Sequence, residues 1–280
     1  MQLRPMALAD IEAGLRLCRA SGWNQTEADW RCFLSQSPEG CRVAECGGQV
    51  VGTVATLRFE RRFSWVSMVL VAPEWRNRGI GSLLFREALG LLEDMDTVRL
   101  DATPAGKQVY DKFGFVDEYP LTRLRAAGVR PPAEPSTGVR AAADSDLPQI
   151  LDFDRAAFGA DRSAILQHLY RGAPEYARVV ENAGGVQGFA FGRHGFRADH
   201  LGPVVAADEA VARGLVSACL APHQGRPFLL DAPRHSASWS TWLESLGFAE
   251  ERSFIRMFRG AHAHPGLPCR QFAIAGPEFG

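Results

Sequence analysis

Two arginines and two glycines crowd into Arg76-Asn77-Arg78-Gly79-Ile80-Gly81, followed by Ser82, between an apolar run and an amphipathic one. The run Val66 to Val71 predicts a buried strand, and Pro73 opens a turn. Ile80, Leu83, Leu84, Ala88, Leu91, Leu92 and Met95 then fall on one face of a helix. A glycine-rich entry to a helix offers bare backbone N–H groups and the positive end of the helix dipole, and the arginines add charge. That chemistry suits a phosphate or pyrophosphate. The spacing Arg-x-x-Gly-x-Gly is neither a P-loop, which needs Gly-Lys-Ser/Thr after four spacers, nor a dinucleotide fingerprint, which needs a third glycine.

The elements around this turn follow in order. Gln2 to Arg4 read as a strand and Leu8 to Ala20 as a helix with Asp10 in its first turn. Thr26 and Asp29 have the spacing of a helix-start capping pair, which leaves Trp23, Asn24 and Gln25 in a loop between two helices. Arg42 to Glu45 and Val50 to Arg58 form a hairpin about Gly47-Gly48, and Phe63 to Val71 continues the meander. After the long helix come a strand at Val98 to Ala102, a short helix carrying Val109, Tyr110 and Phe113 and ending at Gly114, and a strand from Phe115 to Leu124. Thr103 stands where it could cap that short helix or line a pocket.

Strand, Arg76-x-x-Gly79-x-Gly81, amphipathic helix, and downstream Tyr110-Asp-Lys-Phe-Gly-Phe115 before a closing strand together resemble the GNAT superfamily of N-acetyltransferases. The resemblance covers residues 1 to about 125. It implies an α+β fold whose mostly antiparallel sheet splays between its fourth and fifth strands, with acetyl-CoA as cosubstrate lying in the gap. The pantetheine arm would bond to the backbone of Val69, Leu70 and Val71, and the pyrophosphate would rest on the turn Arg76, Asn77, Arg78, Gly79, Ile80, Gly81 and Ser82. Tyr110 would protonate the departing thiolate, and Asp101, at the end of the strand beside the splay, is the candidate base. The loop with Trp23 and Asn24, together with Thr103, would border the acceptor amine, a small molecule or a peptide. A non-catalytic acyl-CoA sensor is the alternative function.

The second half repeats the first. Arg4, Asp10 and Ile11 recur as Arg140, Asp146 and Leu147, and Arg42, Val43, Glu45, Gly48 and Gly52 as Arg178, Val179, Glu181, Gly184 and Gly188. Asp101-Ala102 returns as Asp231-Ala232, and Gly114-Phe115 as Gly247-Phe248. The reading is two tandem GNAT-like domains, residues 1–125 and 138–280, joined by a Pro/Gly-rich linker at 126–137. Near-constant spacing sets Val211 against Arg76 and Val216 against Gly81, and no tyrosine lies between Asp231 and Gly247. The second copy is therefore expected to keep the scaffold and lose the cofactor. Its Phe189, Phe191, Trp239 and Trp242 are expected at an interface or at the acceptor's far wall.

Composition bounds the rest. At 280 residues the chain suits two domains at roughly 150 residues each. Its net charge of -1 argues against a nucleic-acid surface, and 46% hydrophobic with 22% charged residues is the balance of a globular protein. No apolar run nears the roughly 18 residues of a membrane span, and no secretory leader is apparent, so a cytoplasmic protein is expected. Six cysteines without C-x-x-C spacing read as reduced, and His262 and His264 lack a third ligand, so no metal is expected and the histidine-bearing tail reads as flexible.

Overall fold

Alternating apolar strands joined by tight turns build the first half of a computed structural model that describes residues 1–130 and 138–280; most of the segment read as a linker lies outside the described residues. The chain runs β1 (Gln2–Pro5), α1 (Ile11–Ala20), α2 (Glu27–Gln36), β2 (Cys41–Cys46), β3 (Gln49–Phe59), β4 (Phe63–Val71), α3 (Ile80–Gly90), β5 (Thr97–Ala102), α4 (Pro104–Tyr110) and β6 (Val116–Ala126). Gly47 and Gly48 both take positive φ, 57° and 79°, as the two-residue hairpin turn requires. The helix after the turn stops at Gly90, yet Leu92 and Met95 still bury, which is why the apolar periodicity reads past its end.

The second half repeats this order as β7 (Val139–Ala141), α5 (Leu147–Phe158), α6 (Ser163–Gly172), β8 (Arg178–Asn182), β9 (Gly185–Arg193), β10 (Asp199–Ala206), α7 (Glu209–Leu220), β11 (Phe228–Pro233), α8 (Ala237–Ser245) and β12 (Ala249–Gly260), then adds β13 (Gln271–Ala273). The repeat is physical as well as sequential. Arg4 grips Asp10 through two N–H donors at 2.7 and 2.9 Å while Asp10 accepts from the Ala7 N–H. Arg140, Asp146 and Ala143 do the same, at 2.6 and 2.8 Å for the paired bonds.

The halves are not two separate sheets. All the strands of both form one sheet in the order β1-β2-β3-β4-β5-β12-β6-β11-β10-β9-β8-β7, with β13 paired to β10. The last strands have changed places: β12 lies antiparallel to β5, with Ile255 opposite Ala102, and β6 lies antiparallel to β11, with Leu230 opposite Leu124. Each exchanged strand carries an arginine to a buried aspartate of the other half. Arg256 clasps Asp101 at 2.9 Å through both Nε and Nη2, and Arg123 clasps Asp231 at 2.8 Å through the same two atoms. One apolar core likewise spans both halves, bringing Trp30, Phe33, Phe59 and Phe63 together with Phe158, Phe189, Phe191 and Phe279. Phe189 and Phe191 thus belong to the shared core and not to an acceptor wall.

Candidate functional site

Parallel strands β4 and β5 pair only at Ser64 with Val98 and Trp65 with Arg99, and then part. The separation is built into β4, where Met68 sits at φ 54° in a bulge that shifts the register against β3. A groove opens there, walled by Val69, Leu70 and Val71, by Arg76, Asn77, Gly79, Ile80, Gly81 and Ser82 of the turn, and by Thr103 and Tyr110. Every residue expected to hold the cofactor lines it except Arg78, whose guanidinium stacks over Trp75 at 4.9 Å. Arg76 is braced by the Val71 carbonyl at 3.1 Å and by the Ser21 hydroxyl at 3.3 Å.

The turn leaves the start of α3 open to an anion. Gly79 takes the left-handed φ of 77°, no side chain caps the helix, and no acidic residue occupies its first turn. A Cβ on Gly81 would meet only Val71, at 3.6 Å, so the space above this backbone is free. Polar N–H donors, an unopposed dipole and clear space fit a pyrophosphate without altering any residue.

Tyr110 ends α4 at the far side of the groove. Its ring packs on Phe85 with centroids 4.7 Å apart, and its hydroxyl has no hydrogen-bond partner among the described residues. Burial pushes its pKa up to about 12, so it stays protonated throughout the neutral range. Thr103 does both things open to it: its hydroxyl accepts from the Gly106 N–H at 3.1 Å, capping α4, and it lines the opening.

A second cavity of about 170 Å³ meets the groove at Trp23, Val69, Thr103 and Tyr110. Its other walls are Gln25 and Ser67 and, from distant parts of the chain, Arg123 on β6, Arg252 and Phe254 on β12, and Pro277 and Glu278 of the tail. The loop expected to border the acceptor does supply Gln25, but sequence reading missed the rest. Arg252 lies in Glu250-Glu251-Arg252-Ser253, which looks like a solvated strand end, and nothing local announces that Glu278 returns to the first half. The tail is held there, not flexible: Pro277 accepts from the Trp65 indole at 2.9 Å, Phe279 stacks on Phe33 at 4.9 Å, and Arg193 joins Glu278 to Asp29.

Asp101 lines this cavity, but both its oxygens are engaged by Arg256. Burial raises its pKa, with Arg256 opposing. Its counterpart Asp231 is held the same way by Arg123, and there Arg123 and His200 outweigh burial and keep the carboxyl well below the usual range. A carboxylate gripped by an arginine through both oxygens in each half is a brace between exchanged strands, and the two bonds from Arg256 weaken Asp101 as a base for an amine. Asn24 also stands apart from the cavity. Its side chain accepts from the Arg197 and Ala198 N–H groups at 2.7 and 3.2 Å and donates to the Ala198 carbonyl at 2.9 Å, fastening its loop to the second half.

The second half has the same splay in different condition. β10 and β11 pair at Asp199 with Phe228 and His200 with Leu229 and then part, but β13 enters the gap. Ala273 pairs with Val204, the Ile274 N–H donates to the Asp231 carbonyl at 2.9 Å, and the Trp239 indole donates to the Phe272 carbonyl at 3.0 Å. The alignment of Val211 with Arg76 and Val216 with Gly81 is not what the structure gives. Residues 72–79 separate β4 from α3, whereas only Ala207 and Asp208 separate β10 from α7, so the whole turn is missing and both valines lie within α7. Asp208 caps that helix through the Val211 N–H at 2.9 Å, placing a carboxylate where the first half leaves room for an anion. Among the described residues no group of His, Cys, Asp and Glu side chains could hold a metal ion, and no helix is long and apolar enough to cross a membrane.

Comparison with known proteins agrees with this geometry. Residues 37–117 and residues 150–273 each match a family model described as an acetyltransferase (GNAT) domain, and between them they take in well over half of the chain. The holothin acyltransferase of Pseudoalteromonas sp. (strain SANK 73390) is 27% identical over 278 residues, 99% of this chain and 94% of that protein. Among solved structures, a candidate acetyltransferase from Pyrococcus horikoshii superposes with a TM-score of 0.84 at 24% identity, over 100% of this chain and 95% of the other. A tandem GNAT protein of the clavulanic acid biosynthesis pathway gives 0.62 at 17% identity, over 92% and 98%. At those identities the structural matches speak to the fold.

Proposed function

Because the chain belongs to the GNAT superfamily and is an acyltransferase with two GNAT domains in tandem, we propose that its first half carries the acetyl group of acetyl-CoA to a primary amine by direct attack in a ternary complex. One observation carries the reading. A single open splay has an uncapped, acid-free helix start at one end and the unbonded Tyr110 hydroxyl at the other, where the groove meets a second cavity.

The residues divide the work as follows. The backbone of Val69, Leu70 and Val71 receives the pantetheine arm, and the N–H groups from Arg78 to Ser82 receive the pyrophosphate, with Arg76 and the Ser82 hydroxyl beside them. The acceptor nitrogen, in the cavity, attacks the thioester carbonyl. A C–N bond forms, and backbone N–H donors at the Met68 bulge stabilise the oxyanion, an interaction whose loss costs roughly 3 kcal/mol of barrier. The C–S bond then breaks, the electron pair goes to sulfur, and Tyr110 supplies the proton. With Asp101 tied to Arg256, water reached through the cavity takes the proton from the amine. Residues 138–280 complete the acceptor cavity through Arg252, Phe254 and Glu278. The full-length likeness to an enzyme named for acylating holothin supports a small-molecule acceptor, and dependence on acetyl-CoA supports a cytoplasmic location.

The test is release of free CoA thiol from acetyl-CoA with a panel of amino acids, polyamines, aminoglycosides and peptide N-termini. Amine-dependent release is expected. CoA binding with no release under any amine would indicate an acyl-CoA sensor instead.

A further inference from the structure

The acceptor cavity holds polar groups that no described residue satisfies. The Gln25 Oε1 and Ser67 Oγ atoms are buried without a hydrogen-bond partner among the described residues, on side chains 4% and 8% exposed. Buried polar atoms are rarely left in this state, and two facing one cavity beside the groove await a donor from outside the chain. On the same cavity Arg252 makes no hydrogen bond or ion pair among the described residues, unlike Arg123 and Arg256, which hold Asp231 and Asp101. Burial lowers its pKa and Arg123 lowers it further, with Glu251 and Asp231 opposing, and both of those carboxylates are already bonded to other arginines, Arg197 and Arg123. Glu278 offers no compensation, since Arg193 already claims it. An unpaired guanidinium in a half-buried wall costs free energy that a planar oxyanion group would recover by bidentate bonding.

From this juxtaposition we infer that the acceptor is a small amine bearing an anionic group, a carboxylate or a phosphate. Its nitrogen is received at Gln25 Oε1 and Ser67 Oγ, and its anion is seated on Arg252. This deepens the acetyltransferase reading and rests on it. A cavity of about 170 Å³ restricts the molecule to amino-acid size or to the end of a longer one.

The experiment measures thiol release by the full chain with matched acceptors: alanine and phosphoethanolamine against ethylamine, with phenylalanine against phenethylamine as a larger pair. The anionic member of at least one pair should show a kcat/KM higher by on the order of tenfold or more. If only phosphoethanolamine is favoured the anion is a phosphate, and if only the amino acids are favoured it is a carboxylate. Arg252→Ala should raise KM for the favoured acceptor by a similar factor, a loss at least several-fold greater than for the amine lacking the anion, and be partly rescued by Arg252→Lys. Equal use of both members, or equal losses for both in Arg252→Ala, would overturn the inference, as would CoA binding without turnover of either class. Failure of the chain to bind CoA at all would instead bring down the acetyltransferase reading beneath it.

Discussion

The two splays of this molecule began as one design and now stand open and filled. In the first, β4 and β5 part to leave a groove; in the second, β10 and β11 part around β13 and its flanking residues. The helix starts differ in the same sense, with Gly79 and bare N–H groups at α3 and the Asp208 cap at α7. Unpaired backbone along a splay and unsatisfied donors at a helix start are costs that a ligand can offset. Where the first half leaves those costs standing, the second removes them with its own chain. A site can therefore be recognised by what it leaves unsatisfied as much as by the residues it keeps.

The contrast can be broken at four points. The largest effect is expected on stability. Asp231→Asn leaves Arg123 buried without its counter-charge, which should cost about 3–5 kcal/mol and lower the unfolding midpoint clearly. The sign with pH follows from the depressed Asp231 pKa. Its contribution is present above the ordinary aspartate range near pH 4 and is lost as pH falls toward the folded value, so the variant should show a flatter acid limb in denaturant titrations. An unaltered acid limb would mean the brace is not charged.

Next is the cradle. Gly81→Glu places a carboxylate on open backbone that needs no positive φ, so the fold should survive while calorimetric CoA affinity falls by roughly a hundredfold, about 3 kcal/mol. Unchanged affinity would remove the first half's claim to the cofactor. The same titration on the unaltered protein should give one CoA per chain, and two equivalent sites would erase the contrast.

Tyr110→Phe keeps the ring on Phe85 and deletes the proton donor, so kcat should drop about a hundredfold at near-normal CoA affinity. With the hydroxyl raised to about 12, wild-type kcat/KM should climb as the amine deprotonates and show no decline from tyrosine ionisation below about pH 11. The smallest effect is expected from Asp208→Ala, which removes a cap worth about 1 kcal/mol and should create no second CoA site, because the tail still fills the gap.

The sequence made the first half readable because its chemistry is contiguous. Arg76 to Ser82 and Tyr110 are set by local turn and helix geometry, and spacing alone places them. The cavity beside the groove was not readable, since Arg252, Phe254 and Glu278 reach it only through strand exchange and a returning tail, which no local pattern encodes. The repeat also misled in one place. Near-constant spacing carried the alignment across a turn the second half has lost, so Val211 and Val216 were matched to residues without counterparts. The paired aspartates were legible as a repeat but not as a brace, because their arginines are on strands from the opposite halves.

The exchange of β6 and β12 has a consequence for how the protein is made. Domains commonly fold in turn as they leave the ribosome, the first before the second is synthesised. Here β5 has no neighbour on its outer side until Ala249–Gly260 has been translated, and the Trp65 indole waits for Pro277. Until then the nascent first half exposes an unpaired strand edge and an incomplete core, a state prone to intermolecular pairing and slow to close because its contacts are so distant in sequence. The half that carries the open groove is thus the first to be synthesised and among the last to be finished, so a chain interrupted before residue 249 should be a client for chaperones and not a smaller enzyme.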